Sequence, residues 1–232
     1  PLSLSVSVSL SLCEHRGIMT KVHPSNTVPD LEFPEPAGTR RKDSNTVVLT
    51  VWRKSLVFSC SGFTVFDAEG NLVFRVDNYG SGSTGEIVLM DAAGKPLLTI
   101  RRKKLSFGAT WVIYDGEDVV DPLFSVKKHS NLLHSKVLAH VTSPCRRRRR
   151  HRGGCGAGYE VEGSYSRRSC TVYDKMRRSV AEIRRKEAVG GVAFGGDVFR
   201  LVVHADVDTC LAMAILIVLD QMFGSRVSLI DG

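Results

Sequence analysis

The chain has 232 residues, 43% apolar and 24% charged, which suits one large domain or two small ones and excludes both wholesale disorder and a multi-span membrane protein. Its formal charge of +8 is local: Arg146, Arg147, Arg148, Arg149, Arg150 and Arg152 supply six of the positive charges, so taking six from +8 leaves +2 for the rest. A near-neutral body with one basic segment argues against nucleic acid, which calls for a basic face or stripe.

Residues 1–45 are read as a lead-in without a folded element. Pro1 to Leu12 alternates Ser with Leu or Val, so it lacks the basic start and continuous apolar run of a secretory signal. Ser-Leu alternation is also what a CT-dinucleotide repeat encodes, and the first methionine is Met19; the natural start is expected there. Four prolines between Met19 and Lys42 make this stretch an extended or disordered lead-in to a domain over 46–232.

From Thr46 onward, short apolar runs alternate with acidic, glycine-containing turns. Phe63 to Val76, Ile87 to Ile100 and Trp111 to Val126 are three copies of one pattern, with turn aspartates at Asp67, Asp91 and Asp115, 24 residues apart each time. Strands alternating with helices would not keep that spacing, so the copies are read as consecutive β-hairpins. In the D-x-x-G turn, Asp accepts a hydrogen bond and Gly adopts the positive φ that ends the turn. Alternation places Leu72, Phe74 and Val76 on an apolar face and Val73, Arg75 and Asp77 on a wetter one. A fourth copy, Cys170 to Ile183 around Asp174, lacks the glycine. Before it lies an Arg-rich loop over 142–158, read as a solvated segment, an anionic-membrane contact or a nuclear-targeting signal.

After an apolar strand, Val198 to Val203, the pattern changes to a helix over 206–223, with Asp206 as its cap and Gly224 as a left-handed stop. Cys210 to Leu219 is apolar on every side, so the helix must be buried all round. Ten residues extend about 15 Å, short of the roughly 20 residues that cross a bilayer. A closed sheet wrapped around this helix would bury its circumference and leave no exposed strand edge. The expected fold is therefore mainly β, a closed antiparallel barrel around a C-terminal helix.

Five phrases together carry a family resemblance: Gly62 to Asp67, Val73 to Tyr79, Leu97 to Lys103, Val180 to Lys186 and Leu219 to Gln221. With them the chain, over about Met19 to Gly224, resembles the plant LURP-one-related family of the tubby-like superfamily, whose usual beginning Met19 to Pro24 also matches. The resemblance implies about twelve strands around the helix, kinship with phospholipid scramblases, no known enzyme activity or cofactor, a link to plant defence, and phosphoinositide binding among tubby relatives. The Arg-rich loop is no part of the shared pattern, and Phe107 to Thr110 departs from the more polar turn expected there.

No catalytic constellation emerges. Gly80 to Gly85 satisfies G-x-G-x-x-G but opens a strand instead of a helix, so it cannot present phosphate to a helix N-terminus. No G-x-S-x-G elbow occurs, His204 reads as a rim residue, and Asp67, Asp91, Asp115 and Asp174 are explained by turns. The six cysteines form no C-x-x-C pair, which points to a reducing intracellular compartment, and Cys145, His151 and Cys155 match no zinc spacing. Two functions remain. Arg101, Arg102, Lys103 and Lys104, with Arg184, Arg185 and Lys186, follow apolar strands and are candidates to bind lipid phosphates at a barrel mouth. Alternatively the barrel is a protein-interaction or nuclear adaptor in defence signalling; lipid scrambling is a distant third, because the helix is too short to span.

Overall fold

A computed structural model describes residues 46–57, 61–78, 85–103, 110–118, 120–130, 135–144, 158–187 and 194–224. The lead-in 1–45 and the arginines 146–150 and 152 lie outside these residues. Twelve strands are present: β1 (Val47–Trp52), β2 (Ser61–Phe66), β3 (Leu72–Asn78), β4 (Glu86–Asp91), β5 (Pro96–Arg102), β6 (Thr110–Asp115), β7 (Pro122–Lys128), β8 (Val137–Thr142), β9 (Gly158–Ser164), β10 (Ser169–Tyr173), β11 (Ser179–Arg185) and β12 (Val198–Val203). Helix α1 (Thr209–Phe223) follows. Each strand pairs antiparallel with its chain neighbours, and β1 closes on β12 over Val47↔Val203 to Trp52↔Val198, giving a closed barrel.

The repeated hairpins share a geometric signature. Register shifts fall between Val65 and Phe66, Leu89 and Met90, Ile113 and Tyr114, and Val172 and Tyr173, each just ahead of the turn aspartate. An extra residue at the same place in each copy bends the strand and increases its twist, which a sheet needs in order to close. In three of the turns the aspartate carboxylate accepts the backbone N–H four residues on, from Asn71, Lys95 and Arg178 at 2.7–2.9 Å. Gly70 and Gly94 take the expected left-handed φ of 86° and 88°, but in the fourth copy Arg177 takes it, at 61°. Arg177 tolerates that strained φ while its guanidinium meets Glu160 and Glu162 at 3.0 and 2.9 Å and stacks on Tyr173. The Asp115 turn departs from the pattern: its left-handed glycine is Gly116, the next residue.

The interior is apolar by alternation, as in Leu49 and Val51 of β1, Phe63 and Val65 of β2, and Leu98 and Ile100 of β5. Leu211 to Asp220 of α1 is buried without interruption. Each fully buried Leu, Ile or Val contributes about 1.5–3 kcal/mol, so the helix and the strand faces hold each other. The cap is Asp208, not Asp206: its carboxylate accepts from Leu211 N at 3.1 Å. Gly224 is extended (φ −64°, ψ 127°), not left-handed; glycine is needed there because a Cβ would strike the carbonyl and the carboxylate of Asp220.

One face differs from the alternation. Asp77, on the outer side of β3, is buried, because Arg53 to Val57 fold back over β2 and β3. Ser55 Oγ donates to Asp77 at 2.5 Å, Arg75 pairs with it at 2.7 Å, and Thr64 Oγ1 donates to the Lys54 carbonyl. The covering segment satisfies a carboxylate that alternation would expose to water.

Candidate functional site

Strand direction sorts every loop to one of two ends. Odd-numbered strands finish where the helix finishes, and even-numbered strands finish where it begins. The four repeated turns, the N-terminal cap of α1 and the strand ends Thr142 and Gly158 that flank the Arg-rich segment share one end, here called the turn end. The opposite end, where α1 terminates, carries a basic collar.

The collar follows from the two-residue period of a strand. In β5 the last buried inward residue is Ile100, and the next inward position is Arg102; in β11 they are Ile183 and Arg185; in β7, Val126 and Lys128. Just past β1, Val51 is followed by Arg53. Four strands thus place a cation one step beyond the core, around the end of the helix. The intervening outward residues do something else. Arg101 pairs with Glu86 across the β4–β5 ladder, and Arg184 pairs with Glu182 on its own strand, so both are ion-paired on the barrel wall.

The seven arginines and lysines singled out from the sequence therefore separate. Arg102, Lys103 and Arg185 are exposed, with no ionic partner for their side chains among the described residues. Lys186 is half-buried, its Nζ over the Phe194 ring at 4.9 Å and 3.5 Å from Thr50 Oγ1. Lys104 lies outside the described residues. Both runs end at the collar, but β5 and β11 are six places apart in a ring of twelve, on opposite sides. A helix about 10–12 Å across stands between them, so they cannot clamp one headgroup.

Sequence runs alone missed Arg53 and Lys128. Arg53 Nε lies 3.0 Å from the Asp220 carboxylate, and the Tyr165 hydroxyl donates to the same oxygen at 3.0 Å. Lys128 sits over the Phe223 ring at 4.7 Å. Burial, and then the Asp220 charge, push the Tyr165 hydroxyl far above its ordinary titration range. Arg168, buried at φ 51°, is stacked between Tyr165 and Phe199 and donates to the Gly196 carbonyl. The signal that finds the exposed collar is a basic residue two positions after the last core residue of a strand.

Among the described residues no three His, Cys, Asp or Glu side chains come together in a way that could hold a metal ion. His129 and His140 satisfy each other at 3.1 Å, and His204 lies 3.4 Å from Thr46 Oγ1 at the turn end. Burial pushes the Cys170 thiol up to about 12 and the Cys210 thiol up to about 11, so neither is a ready nucleophile at neutral pH. No helix among the described residues is long and apolar enough to cross a membrane.

These features define the class: a twelve-stranded, tubby-like antiparallel barrel closed on an axial helix, with a charged collar at one end. A family model of LURP-one-related proteins matches residues 47–220, and the chain belongs to that family. It is similar to three Arabidopsis thaliana proteins. LURP-one-related 8 is 49% identical, over 89% of this chain and all of that protein; LURP-one-related 17 is 42% identical, over 75% and 82%; LURP-one-related 5 is 44% identical, over 76% and 83%. An X-ray structure of an Arabidopsis thaliana protein matches with a TM-score of 0.55 and 25% identity, over 77% of this chain and 91% of that one.

Proposed function

We propose that the protein is a binding module, not an enzyme, whose collar end rests on an anionic membrane surface. The observation that carries this reading is the distribution of Arg102, Lys128 and Arg185 around one end of the barrel, from three different strands. Cations on opposite sides of a ring cannot share one small ligand, but all of them can face a plane of negative headgroups. The helix dipole does not account for them, since its C-terminal end is equivalent to about half a charge and Arg53 already stands there. Each basic residue near such a surface contributes about 1 kcal/mol, and the cytoplasmic leaflet is where anionic lipid concentrates.

The test is co-sedimentation of the full chain with vesicles of neutral phosphatidylcholine, of phosphatidylcholine with phosphatidylserine, and of the same mixture with a phosphoinositide. Binding to both anionic compositions, weakened by salt and by Arg102→Gln with Arg185→Gln, is the expected result. Equal, weak sedimentation with all three would overturn the reading. Binding only with phosphoinositide would point to one headgroup site in place of a surface.

A second reading, a protein-interaction adaptor, is favoured by the turn end. There Val120, beside Asp118 and Asp121, is 77% exposed, and Met176, between Lys175 and Arg177, is 79% exposed. A partner with an apolar spot and charges of both signs would fit that end, and loss of partner binding in Met176→Ser, with vesicle binding intact, would separate the two.

A further inference from the structure

The basic clusters account for attraction to a charged surface but not for several large apolar side chains held in water at the same end. Trp52 is 40% exposed, Leu56 54% and Phe194 39%. Trp52 ends β1, Leu56 lies in the segment that follows it, and Phe194 precedes β12, which pairs with β1. Trp52 is in the outward phase of β1, and Leu56 lies beyond the bend at Arg53 and Lys54, in the segment that folds back over β2 and β3. The three thus lie along the collar end of the barrel from β12 past β1 to β2.

Each aromatic there has a lysine on its face. Lys54 Nζ is 5.3 Å from the Trp52 ring centre, and Lys186 Nζ, which reaches across β12 toward Thr50 of β1, is 4.9 Å from that of Phe194. A third pair, Lys128 on Phe223, is at the same end. Among the described residues every lysine stacked on an aromatic ring lies at the collar end. The nearby carboxylate Asp197 lies 3.8 Å from Arg53, which offsets its charge.

Aromatic side chains with an adjacent lysine match the two layers of a bilayer interface. Tryptophan and phenylalanine settle at the boundary between headgroups and acyl chains, while the lysine stem lies along the apolar surface and its ammonium stays among the phosphates. An apolar protein partner would leave those ammonium groups unmatched. At the turn end the exposed apolar residues are Val47, Val48, Val120 and Met176, with no lysine stacked on an aromatic ring among the described residues there.

We infer that Trp52, Leu56 and Phe194 form a wedge that enters the interface of an anionic bilayer, with Lys54 and Lys186 contacting lipid phosphates on either side. This rests on the membrane reading above and adds where, and how deeply, the barrel is seated. The collar brings the barrel to the surface, and the wedge fixes its tilt so that the β12–β1–β2 shoulder is lowest.

The chain has two tryptophans, and they report on different places: Trp111 is 6% exposed inside the barrel and Trp52 stands on the shoulder. The full chain is mixed with vesicles of phosphatidylcholine and about 30% phosphatidylserine, with and without acyl-brominated phosphatidylcholine. Sedimentation is read alongside tryptophan emission. Bound protein should show a blue shift and bromine quenching, and both should vanish in Trp52→Phe. Trp52→Ser with Phe194→Ser should weaken binding about tenfold or more while the thermal midpoint stays near that of the parent. Sedimentation with no quenching of Trp52 would overturn the wedge and leave the membrane reading standing. Absence of sedimentation would overturn both. A dimer in solution that Trp52→Ser converts to monomer would overturn the wedge in favour of a second copy of this chain.

Discussion

The two ends of the barrel put their charges to different uses. At the turn end the carboxylates are structural: Asp67, Asp91 and Asp174 accept backbone N–H groups within their turns, and Asp208 caps the helix. The Asn71 side chain holds the Asp67 carboxyl below its ordinary range, and the Arg178 backbone N–H does the same for Asp174. At the collar end Arg102, Lys103 and Arg185 have no such partner among the described residues, whereas Arg53 is tied to the helix through Asp220 and Lys128 through the Phe223 ring. Charges that accept local backbone hydrogen bonds stabilise a fold; charges projecting past a finished core are available to a ligand.

The largest expected effect falls where the collar meets the core. Arg53→Met leaves the Asp220 carboxylate, 7% exposed, with Tyr165 alone, and should cost about 3 kcal/mol, read from the urea midpoint at constant slope. If stability is unchanged, Arg53 belongs with the free cations and the comparison shifts accordingly. Next, Arg102→Gln with Arg185→Gln should weaken binding to anionic vesicles about thirtyfold, at about 1 kcal/mol per charge, with little change in stability. Asp174→Ala should do the reverse, lowering the urea midpoint slightly and leaving vesicle binding unaltered. Deleting 146–152, between strand ends Thr142 and Gly158 at the turn end, should change vesicle binding by less than about twofold if the collar makes the membrane contact. A large loss would move the membrane contact to the other end of the barrel.

The ends also differ in pH response. Asp67 and Asp174 have folded values below the unfolded one, so their contribution is present above about pH 4 and fades as the pH falls through the lowered values. Cys170 and Cys210 have raised folded values. The unfolded chain therefore loses its thiol protons first, and their contribution, complete below about pH 8.5, is lost as the pH climbs toward about 11 and 12. Thermal midpoints should fall on both sides of a neutral plateau, and Cys170→Ala should flatten the alkaline arm.

Much of the fold was legible because its cues are local. The period of two, the recurring Asp turns and the all-apolar stretch Cys210 to Leu219 are readable within windows of a few residues, and each became a strand, a bulged hairpin or the buried helix. Details that depend on packing were misread. Asp206 is two residues too early because Asp208 is the residue whose carboxylate reaches Leu211 N, and Asp77 is buried because the segment between β1 and β2 covers it. At the candidate site, the runs Arg101 to Lys103 and Arg184 to Lys186 were visible. Nothing in a run tells Arg101, paired with Glu86, from Arg102, which stands at the mouth; that distinction comes from the inward and outward phase of the strand.

What the sequence by itself determined is the set of elements and the family, since periodicity, turn chemistry and phrase likeness need no long-range contact. Tertiary structure decided which charges share an end. Strand direction and closure of β1 on β12 carry two distant basic runs to the same mouth and then hold them on opposite sides of it, with Arg53 against Asp220 between. A charge's neighbours are set by the ring, and the ring exists only once every strand has found its partner.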